Sequence, residues 1–105
     1  MKTPILLITG AALALGSAQV QADDISAGRD MYSQSCAQCH GASGKGMASF
    51  PSLQDRDADY ITKRLEQYRG GERVGSNTGL MASFAADLSD EEIANLAAYI
   101  STEFQ

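Results

Sequence analysis

Both cysteines and the single histidine of this 105-residue chain lie within five positions, in "SCAQCHGASGKG" from Ser35 to Gly46. Cys36 and Cys39 are spaced C-x-x-C, and His40 follows at once. Two thiols and an imidazole thus share about one turn of chain, and glycines follow them. Several chemistries use such a group. Thiol–disulfide exchange places C-x-x-C at a helix start beside a βαβ unit. No strand pattern precedes Cys36. A structural zinc site takes four protein ligands. Cys36, Cys39 and His40 supply three, and no further Cys or His exists. A structural disulfide would close a tiny loop and stabilise little. It would also leave His40 without a role.

Covalent haem attachment accounts for all three residues. Cys36 and Cys39 would form thioethers to the vinyl groups on one porphyrin edge. His40 would then lie under the iron as proximal ligand. With one histidine, bis-histidine ligation within the chain is impossible. Past the initiator, the methionines are Met31, Met47 and Met81. Met31 shares a helix with Cys36 and is expected in the core. Met47 would have to turn round the porphyrin edge within a short glycine loop. Met81, in the later loop "NTGLMASFAADLSD", is placed to close over the opposite face. It is the expected distal ligand; the other reading is a side chain buried under the last helix. A thioether is soft and neutral, so a Met/His pair favours ferrous iron and raises the potential. With both axial positions filled, the expected role is electron transfer rather than bond chemistry. Metal-bound histidines commonly donate their other ring N–H to a carbonyl. Pro51 follows the glycine loop, and its carbonyl is the candidate acceptor for His40. Alternatively, Pro51 only stiffens a turn.

Helices must position these groups. Ser89-Asp90-Glu91-Glu92 reads as a capping box, with Leu88 and Ile93 as a hydrophobic staple. Ile93, Leu96, Ala97 and Ile100 then recur on one face. A second helix is expected from about Asp59 to Arg69, lined by Ile61, Leu65 and Tyr68 and stopped at Gly70-Gly71. A third covers roughly Ser26 to Cys36. Gly28 weakens it by about 1 kcal/mol relative to alanine, which suggests close approach of another helix. Long loops, Gly41 to Pro51 and Gly70 to Gly79, join the helices. Loops of that length in so small a domain suggest that they wrap something.

The N-terminal stretch stands apart. Lys2, the uncharged apolar run Ile5 to Gly16, and Val20-Gln21-Ala22 read as a signal peptide, residues 1–22, cleaved before Asp23. The apolar run is short for a membrane span. The remaining domain, residues 23–105, carries seven basic and thirteen acidic residues, a net charge of −6. That balance argues against nucleic acid and anionic membrane surfaces. A chain this short has room for only a modest core and usually needs a staple.

Over nearly all of residues 23–105 the chain resembles the class I c-type cytochromes. It looks most like the small soluble monohaem periplasmic type, similar to the c-553 kind and to one domain of the c4 kind. "CAQCHG", "GKG", "FPSL", "YITKRLEQYRGGER", Met81 and "LSDEEIANLAAYIS" carry the resemblance. It implies an all-α class I cytochrome c fold, with three main helices and long loops around one covalent haem c and its iron. It implies that Gly28 and Tyr32 meet Leu96 and Tyr99 where the first and last helices cross. It supports Met81 over Met47 and Pro51 as the partner of His40. One departure stands out: Gln54-Asp55-Arg56 replaces the family's frequent Ala-Gly-Gln, at a turn and a possible propionate contact. The expected role is a periplasmic shuttle of single electrons. The donor would be of the quinol–cytochrome c reductase or dehydrogenase class, the acceptor a terminal oxidase or reductase. Alternatively, a weak or open sixth site would make it a sensor or a peroxidase-like protein.

Overall fold

Three helices begin at a side chain that accepts a hydrogen bond from its own first turn. The structure is a computed structural model that describes residues 24–105; the expected signal peptide, residues 1–22, lies outside the described residues. Helix α1 runs Ile25–Ser35, and Asp24 caps it by accepting from the Ala27 amide. The Asp24 amide in turn donates to the Asn95 side chain at 2.8 Å, which ties the start of the chain to the last helix. A single turn, α2, spans Ala37–His40. Helix α3 runs Ala58–Arg69 with Asp57 as its cap. Helix α4 runs Thr78–Ala85. Helix α5 runs Asp90–Glu103, and both bonds of the expected Ser89–Glu92 capping box are present. Among the described residues there is no strand, only an isolated bridge between Met47 and Phe50.

The three expected helices fall on α1, α3 and α5. The segment that bears Met81 is a helix, α4, rather than the expected loop. Its sequence, TGLMASFA, spaces Leu80 and Phe84, and Met81 and Ala85, four residues apart, but the run is short and Gly79 lowers its intrinsic propensity. A helix this short is not stable alone in water. Packing against α3 is what supports it.

Helix α5 packs against both α1 and α3 and is the centre of the core. Ile93, Leu96, Ala97 and Ile100 are all buried, and the same face continues to Phe104. Tyr32, Ile61 and Leu65 complete the cluster from α1 and α3. Each such large side chain contributes about 1.5–3 kcal/mol when fully buried. Leu88, at the staple position, packs against the core to which Ile93 belongs.

Gly28 explains how closely α1 and α5 approach. A Cβ at this position would stand 2.1 Å from the Asn95 carbonyl oxygen and 3.0 Å from the Tyr99 Cβ. The closest contact is therefore the Asn95 backbone, one residue before the expected Leu96, together with Tyr99. One turn on, the Tyr32 ring packs 5.6 Å from Tyr99 and 5.0 Å from Phe104, centroid to centroid.

Two substitutions test this framework. Gly28→Ala raises intrinsic helix propensity by about 1 kcal/mol. It is nonetheless expected to destabilise the protein by about 1–3 kcal/mol, because the new methyl overlaps the Asn95 carbonyl. Ser89→Ala is expected to lose about 1 kcal/mol through the cap alone. Denaturant midpoints measure both, and a more stable Gly28→Ala protein would contradict the α1–α5 contact.

Candidate functional site

The wall that bears the C-x-x-C-H motif is built mainly from backbone hydrogen bonds. Cys36 ends α1, its amide donating to the Tyr32 carbonyl at 2.8 Å, and it also starts α2. Cys39 and His40 lie on α2 itself. The following loop folds back on this turn. The Gly46 amide donates to the His40 carbonyl at 2.8 Å, and the Leu53 amide to the Gly44 carbonyl at 2.7 Å. Tyr32, buried in the core, donates its hydroxyl to the Gly41 carbonyl at 2.6 Å. Burial holds that hydroxyl well above the usual tyrosine pKa, so it stays protonated and able to donate. Gly46 has φ +77°, and a Cβ there would stand 2.5 Å from the Phe50 carbonyl oxygen. Only glycine lets the loop close so tightly.

This folding brings Pro51 to His40. The Pro51 carbonyl oxygen lies 2.8 Å from His40 Nδ1, and the imidazole is only 5 % exposed. A carbonyl can only accept, so the contact fixes the Nδ1–H tautomer. Nε2 is left with its lone pair free to bind a metal.

Gln54-Asp55-Arg56 forms a turn. Asp55 adopts φ +59° at the place of the family's glycine. Aspartate is one of the few residues with a side chain that takes this conformation routinely. Its amide donates to the Phe104 carbonyl at 2.8 Å and anchors the turn to the end of α5.

These elements line a partly open cavity of about 300 Å³. Cys36, Cys39, His40 and Pro51 line one part of it; Ile61, Leu65, Leu96 and Ile100 supply apolar surface from α3 and α5. Met81 lines it from α4. Met47 is 49 % exposed, and Met31 packs against the core; neither lines the cavity. The structure therefore brings together all five site residues expected from the sequence, and of the methionines among the described residues it places only Met81 with them.

Cys36 and Cys39 are half-buried and form no disulfide. Burial, with a smaller contribution from Cys39, pushes the Cys36 thiol up to about 11. Redox-active C-x-x-C thiols have lowered values, so the setting is wrong for disulfide exchange. Among the described residues, no three His, Cys, Asp or Glu side chains converge as a metal cage. An imidazole and a thioether that line one largely apolar cavity, beside two thiols, form a donor set that fits a haem.

Arg56, at the possible propionate contact, lines the cavity, and Arg64 and Tyr60, which the motif reading gave no role there, line it too. Arg56 and Arg64 both sit over the Tyr60 ring, their guanidinium carbons 4.7 and 5.3 Å from its centroid. Their spacing of four residues on either side of Tyr60 is visible in the sequence. Leu80 and Phe84 of α4 also line the cavity while remaining about half exposed.

A family model described as "cytochrome c oxidase, cbb3-type, subunit III" matches residues 23–100. Cytochrome c-554(548) of Halomonas halodenitrificans is 42 % identical over 83 residues, which cover 78 % of this chain and 99 % of that protein. Cytochrome c4 of Thiocapsa roseopersicina is 41 % identical over 68 residues, covering 62 % of this chain and 35 % of the relative. A Stutzerimonas stutzeri protein named thiosulfate dehydrogenase electron acceptor is 41 % identical over 101 residues, 87 % of this chain and 44 % of the relative. On the strength of that match and these relatives, the chain belongs to the c-type cytochrome family.

Proposed function

We propose that the protein is an exported electron carrier that holds one haem c in this cavity. One observation carries the reading: His40 and Met81 line the same apolar cavity, and Cys36 and Cys39 line it beside His40. When bound, the haem supplies a one-electron ferric–ferrous couple. Cys36 and Cys39 would hold it by thioethers, and His40 Nε2 would hold the iron. The Pro51 carbonyl keeps the imidazole in one orientation and makes it a better donor. Met81 would hold the iron from the other side, favouring the reduced state. Ile61, Leu65, Leu96 and Ile100 keep water away. Arg56 and Arg64 bring two positive charges to the rim, where propionate carboxylates are suitable counter-ions. No bond of a substrate is made or broken in this scheme, so the protein acts as a carrier and not as an enzyme.

Residues 1–22 would be the export signal and residues 23–105 the periplasmic domain. The family match begins at residue 23, which supports that boundary. No helix among the described residues is long and apolar enough to cross a membrane. The domain's net charge of −6 suits brief docking on a basic patch of a donor or acceptor. The name of the Stutzerimonas relative supports a dehydrogenase as one class of donor, beside a quinol–cytochrome c reductase. A terminal oxidase or reductase would accept the electron.

Absorption spectra of protein exported through a c-type maturation system test the reading. Colour is expected to survive denaturation. The haem is expected to be low-spin, with a weak sulfur-to-iron band when oxidised and no response to carbon monoxide when reduced. Met81→Ala is expected to lose that band and to bind carbon monoxide readily. If the unaltered protein is high-spin, the sensor or peroxidase-like role replaces electron transfer. Met81→His is expected to stay low-spin but to lower the potential by a sizeable part of the about 0.8 V that axial ligands span. An unchanged potential would remove Met81 from the iron.

A further inference from the structure

Asn77 stands at the N-cap of α4, where asparagine normally accepts a hydrogen bond from the helix. Here its side chain makes no such bond. Its amide instead crosses to the loop after the C-x-x-C-H turn. Nδ2 donates to the Ser49 carbonyl at 3.1 Å and to the Ser49 hydroxyl at 3.0 Å. The carbonyl can only accept, so the amide nitrogen is the atom that faces it. Both residues line the cavity.

Each end of this link leads to an axial donor. On one side, the Asn77 carbonyl accepts from the Leu80 and Met81 amides at 3.2 and 3.3 Å, so the first turn of α4 hangs from it. On the other, Ser49 sits in a tight turn closed by reciprocal Met47–Phe50 backbone bonds. Two residues on, Pro51 binds His40. The turn is held with Ala48 at φ +50°, a strained conformation for alanine. Thr78, the first residue of α4, binds only its own approach, its hydroxyl accepting from the Val74 amide and donating to the Gly75 carbonyl, both at 2.8 Å, whereas the Asn77 side chain reaches the loop after the C-x-x-C-H turn.

We propose that Asn77 is the positioning residue for Met81: by clasping Ser49, it holds the start of α4 against the His40 wall. This rests on the reading of Met81 as iron ligand. Loss of the clasp leaves the haem attached but lets the thioether come away more often.

The test uses the haem-loaded protein and the variants Asn77→Asp and Asn77→Ala, with Met81→Ala as reference. Aspartate is a good helix cap; it can accept from the Ser49 hydroxyl, but it cannot donate to the Ser49 carbonyl and sets a carboxylate oxygen against that oxygen, which repels it. Two exposed hydrogen bonds of ordinary strength correspond to about a tenfold change in an equilibrium. Both Asn77 variants are therefore expected to bind carbon monoxide about tenfold faster when reduced. They should also lose the sulfur-to-iron band at a lower pH when oxidised. A cap-only role predicts that Asn77→Asp behaves like the unaltered protein in both measurements, and that result would overturn the proposal. If Asn77→Ala does not accumulate, Asn77→Asp decides alone. Carbon monoxide binding by the unaltered protein as fast as by Met81→Ala would instead overturn the ligand assignment, and Asn77's role with it.

Discussion

No side chain fits between α1 and α5 at Gly28, and the other elements take their places from that contact. The Asn95 backbone comes so close that even a methyl group would overlap it. Tyr32 is thereby held against Tyr99 and Phe104, with its hydroxyl on Gly41. Phe104 in turn lies against Gly44, and its carbonyl receives the Asp55 amide. The loop after His40 is thus pinned at Gly41, Gly44 and Asp55 by residues of the α1–α5 contact. Its path between those points brings Pro51 to the imidazole. The His40 wall is a consequence of the helix crossing, transmitted through one aromatic cluster.

The same packing leaves a space the chain does not fill. Ile61, Leu65, Leu96 and Ile100 belong to the core cluster and also line this space, so part of the domain's core surface is turned toward the site rather than toward other side chains. A group that fills it supplies core contacts the side chains cannot make with one another, so binding and folding free energy become one quantity. Covalent attachment through Cys36 and Cys39 would make that contribution permanent, which suits a chain with no disulfide to staple it.

Legibility in the sequence followed the range of the interaction. The capping box and the repeat from Ile93 to Ile100 are local, so α5 could be read directly; one further step of that repeat reaches Phe104. The glycine at position 28 signalled an approaching helix, though not which backbone atom it meets. Helix α4 was hidden because it is only eight residues long, contains Gly79, and has its capping residue engaged elsewhere. The Asn77–Ser49 link spans 28 positions between two loops and leaves no periodic trace. The turn at Asp55 shows the reverse case. Its sequence departs from the family pattern, yet aspartate tolerates the left-handed backbone that the turn takes at this position.

The two walls of the cavity are held in unequal ways. The imidazole is buried, with Nδ1 bound to a backbone carbonyl and its own carbonyl bound by Gly46. Exposed solvent has little access to those bonds, and breaking them means opening the core. Met81 rides on a short helix with exposed apolar residues at positions 80 and 84, whose start is tied by surface hydrogen bonds. Local opening follows the least protected bonds, so the distal side opens first. For a carrier of electrons this division is favourable. A fixed histidine would keep the geometry around a bound haem iron nearly constant between oxidation states, while the firmness of the methionine side would set how completely that iron is shut off from small molecules. Carrier and sensor differ, on this fold, by the firmness of one short helix.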